Sequence, residues 1–414
     1  MSRMNPRRGR SQVRCAFFLL SLSTLTAGTA RASLPELTSL GTRSPALAGT
    51  GVAEATGYEA TYQNPAGLAT GTRNLTLGLV YGGYRTTIDG EPYPIENTLG
   101  IVIGGALPLP LGGVMKNRLG LGLGLYLPTG FINRVRVPFP DVARASLLDS
   151  RTQIVSVLFG AGARLPWGLQ IGGGVLALAA LVGNINIQQD GAGRLIAASE
   201  QQLTVNYAPI VGVRWQSPSR RIAAGVVFRG VSQSSYKITV HTSLGDALPL
   251  MLPVIYFSGI AQYDPLQVAA EVSVRPTARL LLTAQAAWKQ WSAYVYPIDK
   301  STDGSLPVPL PNFHDTVVPR VALEWQPAVL RSVELLLRLG YFFEWSPTPS
   351  PPPEDLARNL LDTDRHVLTA GIGVRLLGRL PLSISAYGQG HFLAPGARLG
   401  GGFGMTGIAV GLDL

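Results

Sequence analysis

Four histidines, one cysteine and a scatter of serines are the residues from which this chain would have to build metal or nucleophilic chemistry. Their spacing argues against both. His241, His314, His366 and His391 show none of the short intervals at which zinc ligands recur. Cys15 lies in the opening segment, so the rest of the chain has no disulfide, thiolate ligand or cysteine nucleophile. His391 shares strand parity with Ser383 and Ser385, but one strand alone holds them too far apart for a nucleophile–base contact. His314-Asp315 and Asp364-Arg365-His366 fall near loop or strand ends and read as surface polar groups. Gly402-Phe-Gly-Met-Thr-Gly407 has the spacing of a dinucleotide loop, yet no helix follows to receive a pyrophosphate. The expectation is a protein that is not an enzyme and carries no metal or cofactor.

The surrounding elements explain where the remaining chemistry must lie. Arg3, Arg7, Arg8, Arg10 and Arg14 precede a short apolar stretch, and Ala30-Arg31-Ala32 closes the segment with an A-x-A pattern. Residues 1–32 therefore read as an export signal, with Ser33 as the first residue after cleavage. The apolar run is too short to cross ~30 Å of hydrocarbon as a helix. Without that segment, Lys+Arg falls from 34 to 28 against 24 acidic residues, and the net charge drops from +10 to +4. Nucleic-acid binding loses its main support.

What remains is exported, only 14% charged, rich in glycine (49 residues), and of positive mean hydropathy, +0.23. It has no later apolar run long enough for a helical span. Lipid admits only helices and closed barrels, because backbone groups find no water there. The periodicity agrees. Leu119, Leu121, Leu123, Leu125 and Leu127 alternate with Gly120, Gly122, Gly124 and Tyr126. From Val333 to Trp345 the odd positions are apolar, while Glu334, Arg338 and Glu344 occupy even ones. A lipid face thus alternates with a polar lumen face. A soluble sandwich also alternates, but would expose more charge.

Fourteen strands are expected, near residues 73–88, 97–107, 118–128, 151–165, 168–188, 201–216, 219–239, 254–275, 279–296, 316–326, 332–345, 364–377, 380–392 and 402–414. Asp264-Pro265 interrupts the eighth. Turns after even strands are short and loops after odd strands are long, the asymmetry of periplasmic and extracellular ends. The fold expected is all-β: a 14-stranded antiparallel transmembrane barrel over 73–414, with residues 33–72 as an N-terminal plug, or hatch, in its lumen. Trp288, Trp291, Tyr341 and Trp345 are placed to form an aromatic girdle.

The chain resembles the FadL/TodX-type outer-membrane transporters of long-chain fatty acids and aromatic hydrocarbons. The likeness rests first on Gly41-Thr-Arg-Ser-Pro-Ala-Leu-Ala-Gly-Thr-Gly-Val-Ala-Glu-Ala and Tyr62-Gln-Asn-Pro-Ala-Gly-Leu-Ala69, which contain Asn64-Pro65-Ala66. Ala287-Trp-Lys-Gln-Trp-Ser-Ala-Tyr294 is a second stretch. Phe313-His-Asp-Thr316, Arg338 to Pro347 and Asp362-Thr-Asp-Arg-His366 complete the set in family order. One departure is the terminal Gly411-Leu-Asp-Leu414, which lacks the usual aromatic residue.

The resemblance implies a plugged channel through which hydrophobic small molecules diffuse across the outer membrane of a Gram-negative-type bacterium. The expected partners are the apolar substrate, outer-membrane lipid and lipopolysaccharide, and the barrel-assembly machinery during biogenesis. The expected state is a monomer. Loop 129–150 supplies Phe131, Ile132, Val137, Phe139 and Leu147 as an apolar capture groove, with Arg134 beside it for a carboxylate or for anionic saccharide. Packing of Phe131 and Phe139 against the rim is the alternative. The resemblance also implies sideways release at a kinked third strand, where Gly120, Gly122 and Gly124 lie. Asn64 would bond exposed backbone at that break, with Pro65 stiffening the turn and Ala66 completing the motif. These glycines would otherwise only relieve crowding opposite the plug. A general porin for polar solutes and a barrel lipid hydrolase are the rival readings.

Overall fold

The computed structural model describes residues 33–113, 118–130, 143–145, 147–149, 152–189, 194–243, 254–294, 298–299, 311–327, 329–330, 332–349, 360–378, 381–395 and 398–413. Residues 1–32, expected to be an export signal, and most of loop 129–150 lie outside them.

Before the first strand come three short helices, α1 (Leu34–Thr38), α2 (Arg43–Ala46) and α3 (Ala60–Gln63), and 3-10 turns at Gly57–Glu59 and Pro65–Thr70. The strands follow as β1 (Asn74–Ile88), β2 (Glu91–Tyr93), β3 (Thr98–Pro108), β4 (Leu119–Pro128), β5 (Ser156–Arg164), β6 (Leu169–Gln189) and β7 (Leu195–Gln216). Next are β8 (Ile222–Arg229), β9 (Ser232–Ser243), β10 (Ile255–Asp264), β11 (Gln267–Thr277), β12 (Leu280–Lys289) and β13 (Ile298–Asp299). The last are β14 (Thr316–Trp325), β15 (Val329–Leu330), β16 (Val333–Glu344), β17 (Arg365–Leu376), β18 (Leu382–Leu393) and β19 (Leu399–Asp413).

The sheet closes on itself where β1 pairs with β19, from Asn74↔Asp413 to Ile88↔Leu399. β8 and β9 together fill one wall position, as do β10 and β11, and β2, β13 and β15 are short additions. The wall is therefore a closed barrel of fourteen strands. The interruption expected at Asp264-Pro265 separates β10 from β11. A second break, between Arg229 and Ser232, was not foreseen.

Alternation decides what each face meets. Leu75, Leu77 and Leu79 are 52–59% exposed, while Val80, of the opposite parity on the same strand, is buried. Inward positions carry the charge: Glu271, Lys289, Arg320 and Arg338 are all buried. A charge turned outward would cost ~2–4 kcal/mol at mid-bilayer. Two aromatic belts bound this apolar exterior. Trp167, Trp215 and Trp325 are exposed at the short-turn end, and Tyr81, Trp288, Tyr341 and Trp345 toward the long-loop end. Trp291 departs from the expectation; it is buried in the interior.

The helical segment fills the lumen and is tied down by buried charge. Lys289 Nζ, fully buried on β12, lies 2.6 Å from Glu36 of α1 and 2.6 Å from Glu344 of β16, and Arg365 pairs with the same Glu344. Arg43 of α2 and Arg338 share Glu324 at 2.9 and 2.7 Å. Glu271 accepts the backbone N–H groups of Gly51 and Val52, each at 2.6 Å. Within the plug, Glu59 accepts the N–H groups of Thr42, Arg43 and Ser44 and so caps α2, whose own N-cap side chain makes no such bond.

Removing one member of a buried ion network strands its partners. Lys289→Met is expected to loosen the plug by about 3–5 kcal/mol, because two buried carboxylates lose their shared cation. Protease cleavage of the plug in an otherwise heat-resistant folded barrel measures this; wild-type protection of the plug in the variant would refute it.

Candidate functional site

The 3-10 turn after Asn64 lies flat on the inner face of β4 to β7, and this contact requires glycine. A Cβ on Gly120 would stand 2.0 Å from the Leu68 carbonyl oxygen, and one on Gly122 would stand 2.5 Å from the Leu68 side chain. At Gly124 it would meet Leu40 at 2.8 Å. Gly162 of β5 and Gly172 of β6 face Pro65 and Ala66 at 2.5 and 2.2 Å. These glycines clear a bed for the plug. The kink expected in the third strand is not there: β4 pairs without a register shift on both sides, with β3 from Gly100↔Pro128 to Pro108↔Gly120 and with β5 from Leu119↔Ala163 to Tyr126↔Ser156. A leucine–glycine alternation satisfies every ladder bond, so glycine here serves the approach of the plug and not a bulge.

Asn64 does bond wall backbone, at another place. Its Oδ1 accepts Ala66 N–H at 3.1 Å and caps the turn that Pro65 begins. Its Nδ2 donates to Val52 O at 2.8 Å and to Val213 O of β7 at 3.1 Å, with Val226 O of β8 at 3.5 Å. Val213 and Val226 are ladder partners. The motif therefore joins the plug to the β7–β8 pair.

Directly above that point the wall changes. β7 pairs with β8 only from Gln216↔Ala223 to Ile210↔Arg229, and a last bond runs from Gly230 N–H to Pro209 O at 2.8 Å. Pro209 has no N–H to return, and a Cβ on Gly230 would stand 2.7 Å from the Pro209 ring. Beyond it β9 pairs in parallel with β6, from Leu181↔Tyr236 to Gln188↔Ser243. Leu203, Val205 and Tyr207 mark the outward parity of β7, so Asn206 points inward, and its Nδ2 meets Ser235 Oγ at 3.5 Å. β9 thus crosses behind β7, and Ser234 Oγ reaches Ala179 O of β6 at 2.6 Å. The upper half of β7 is left outside, with residues 196–203 exposed on both faces. At this seam β7 and β9 meet through side chains with no ladder between them, each being paired with β6. At about 3.3 Å per residue and a tilt near 40°, Pro209 stands roughly 20 Å above the short turn at 217–219, high in the apolar band.

An aromatic cluster lies inside the long-loop end. Tyr263 stacks on Trp291 with centroids 5.3 Å apart, Tyr294 stacks on Phe313 at 4.7 Å, and Leu147 and Leu360 pack with them. Leu147 is thus the one capture-groove candidate that the structure places against other apolar groups. Phe131, Ile132, Arg134, Val137 and Phe139 lie outside the described residues. The cluster escaped sequence reading because its six members come from five separate segments. Ser385 and His391, weighed for nucleophilic chemistry, have different partners: Ser385 Oγ meets Thr42 Oγ1 at 2.7 Å, and His391 stacks on Phe403 at 4.0 Å.

The short-turn end opens into a polar cavity of about 780 Å³ whose lining includes eight arginines and three glutamates, so it is net cationic. Glu54 of the plug anchors its roof, taking bonds of 2.9 and 2.5 Å from the two terminal nitrogens of Arg275 and 2.5 Å from Ser273. Burial alone would raise the Glu54 pKa, but Arg275 more than offsets it and the carboxyl stays below its ordinary range.

A closed barrel with an apolar exterior and charged, plugged lumen is a transmembrane β-barrel of the obstructed kind. Its fold is that of the FadL/TodX-type outer-membrane transporters. A FadL homologue from Pseudomonas aeruginosa superposes with a TM-score of 0.62 at 14% identity, over 94% of this chain and 100% of that one. The CymD monoaromatic hydrocarbon channel gives 0.56 at 14% identity over 91% and 97%. The Ralstonia pickettii toluene transporter TbuX gives 0.53 at 16% over 91% and 99%. No protein-family profile and no curated protein sequence matches the chain.

Asn64→Ala removes a cap worth about 1 kcal/mol and the bonds to Val52 and Val213. Gly122→Leu forces the plug off β4 at about 1–3 kcal/mol. Both are expected to raise open-state current in planar bilayers, the glycine variant more; silent variants would mean that the plug is held elsewhere. For Glu54, a lowered folded-state pKa means that its contribution is complete above the unfolded value of 4.5 and is lost as pH falls through the folded one. Acid titration should therefore release the plug later in wild type than in Arg275→Gln, read as current against pH.

Proposed function

We propose that this protein is a passive outer-membrane channel for hydrophobic small molecules, such as long-chain fatty acids or aromatic hydrocarbons. Cargo is captured at the long-loop, extracellular end and released sideways into the membrane. The seam between β7 and β9 beside the seated plug is the observation that carries this reading. The described plug packs against the wall from β4 round to β18, which suits exclusion of ions and polar solutes and disfavours a general porin. An apolar molecule held at the ring cluster needs an exit that keeps it out of water. Each CH₂ returned to water would cost ~0.8 kcal/mol, so a path through the wall into hydrocarbon avoids what a path through the cationic mouth would incur.

The seam supplies that path because β7 and β9 share no ladder of their own, each being bonded to β6 instead. Leu203, Val205 and Tyr207 line its outer lip, 49–69% exposed. Asn64, Pro65 and Ala66 hold the plug at its foot, and Gly120, Gly122 and Gly124 let the plug lie close enough to do so. Phe131, Ile132, Arg134, Val137 and Phe139 extend the capture surface from Leu147, with Arg134 beside a cargo carboxylate or the surrounding lipopolysaccharide. The toluene transporter TbuX and the CymD monoaromatic hydrocarbon channel, which share this fold, support the cargo class.

Outside residues 1–32 the chain has no cysteine, so a double variant, Asn206→Cys with Ser235→Cys, gives a clean cross-link across the seam. Oxidation is expected to stop most entry of toluene or oleate into protein-bearing vesicles, and reduction to restore it. Undiminished entry through the oxidised form would place the exit elsewhere. Large, steady ionic conductance from the wild-type protein would replace the reading with a general porin.

A further inference from the structure

The first described residue of the plug presents its backbone nitrogen to a buried carboxylate. Ser33 N lies 2.7 Å from Asp264 Oδ1, and Asp264 Oδ2 accepts Ser232 Oγ at 2.7 Å. Ser33 is fully buried and Asp264 is 6% exposed. The Ser33 carbonyl accepts Glu36 N–H at 3.0 Å and Leu37 N–H at 3.2 Å, which starts α1 and fixes the nitrogen in place. Asp264 ends β10 opposite Ser232, at the first residue of β9 above the seam, and it follows Tyr263 of the ring cluster. Independently, the Ala30-Arg31-Ala32 cleavage pattern ends one residue before this nitrogen.

We propose that hydrolysis of the Ala32–Ser33 bond creates a buried ion pair between the new α-amino group of Ser33 and Asp264, which pins the start of the plug to the β9–β10 pair. A signal peptidase of the export pathway adds water across the amide. The C–N bond breaks, hydroxide goes to the Ala32 carbonyl, and the Ser33 nitrogen takes the proton. With an ordinary α-amino pKa near 7.7–8.0, the amine binds a further proton at neutral pH. One amide donor becomes an ammonium with three donors and a full charge. Cleavage would then be a structural step: an uncleaved chain or one trimmed elsewhere places no charge at Asp264. This inference is independent of the cargo.

The test uses intact protein extracted from outer membranes. Intact mass and terminal sequencing are expected to show Ser33 first. An amine-selective acylating reagent at neutral pH is expected to modify that amine slowly. Asp264→Asn keeps the shape and one acceptor but removes the charge. Inserting one alanine after Ala32 displaces the amine by about 3.8 Å. Both changes are expected to raise the labelling rate about tenfold, equivalent to 1.4 kcal/mol of lost hold. Heat-modifiable gel migration confirms that each barrel is folded. A different first residue, or equal labelling of wild type and Asp264→Asn, overturns the proposal.

Discussion

A fourteen-stranded sheet closed on itself satisfies its backbone in lipid, but it encloses more space than inward side chains fill. Everything else in this structure follows from how that space is occupied. The plug enters because glycines on β4 to β7 strip the wall to bare backbone along its bed, to the point where single Cβ atoms at Gly120 or Gly172 would overlap it. It stays because inward charges pair with it: Lys289 with Glu36, Glu324 with Arg43, and Arg275 with Glu54. Such pairs add specificity more than net stability, since each ion had to leave water. They fix which part of the segment meets which strand.

The seam departs from this logic of full pairing. Pro209 cannot donate and Gly230 cannot carry a side chain there, so the β7–β8 ladder stops while both chains continue upward. β9 regains its bonds by taking the free edge of β6 above the end of β5. β7 does not regain them, and its upper half forms an exposed edge outside the wall. That the Asn64 side chain bonds β7 and β8 immediately below couples the plug to the place where the wall is weakest.

The two ends of the lumen differ in chemistry as well as in loop length. Rings and aliphatic groups gather at the long-loop end, around Tyr263, Trp291, Tyr294 and Phe313. Arginines dominate the short-turn end, where Glu54, Glu324 and Glu334 neutralise only part of the charge. An apolar molecule that entered from the first end would meet rising polarity along the axis, the contrast on which the proposed sideways release rests.

The sequence by itself determined the closed barrel, the strand number, the lipid and lumen faces and the break at Asp264-Pro265. Period-2 alternation, proline and turn spacing are local signals, and each strand carries its own copy. It also placed the plug before residue 73 and marked Asn64, Gly120, Gly122 and Gly124 as unusual. What those residues touch was decided only by the tertiary structure. The glycines of the third strand read equally as a bulge or as a bed, because a missing Cβ looks the same in both, and only the neighbour at 2.0–2.8 Å distinguishes them. The seam was invisible for a related reason: β6 and β9 are ordinary alternating strands, and nothing in an alternating pattern says which edge a strand will pair with. Edge choice depends on the path of the chain in space, and so the seam was written in the fold rather than in any motif.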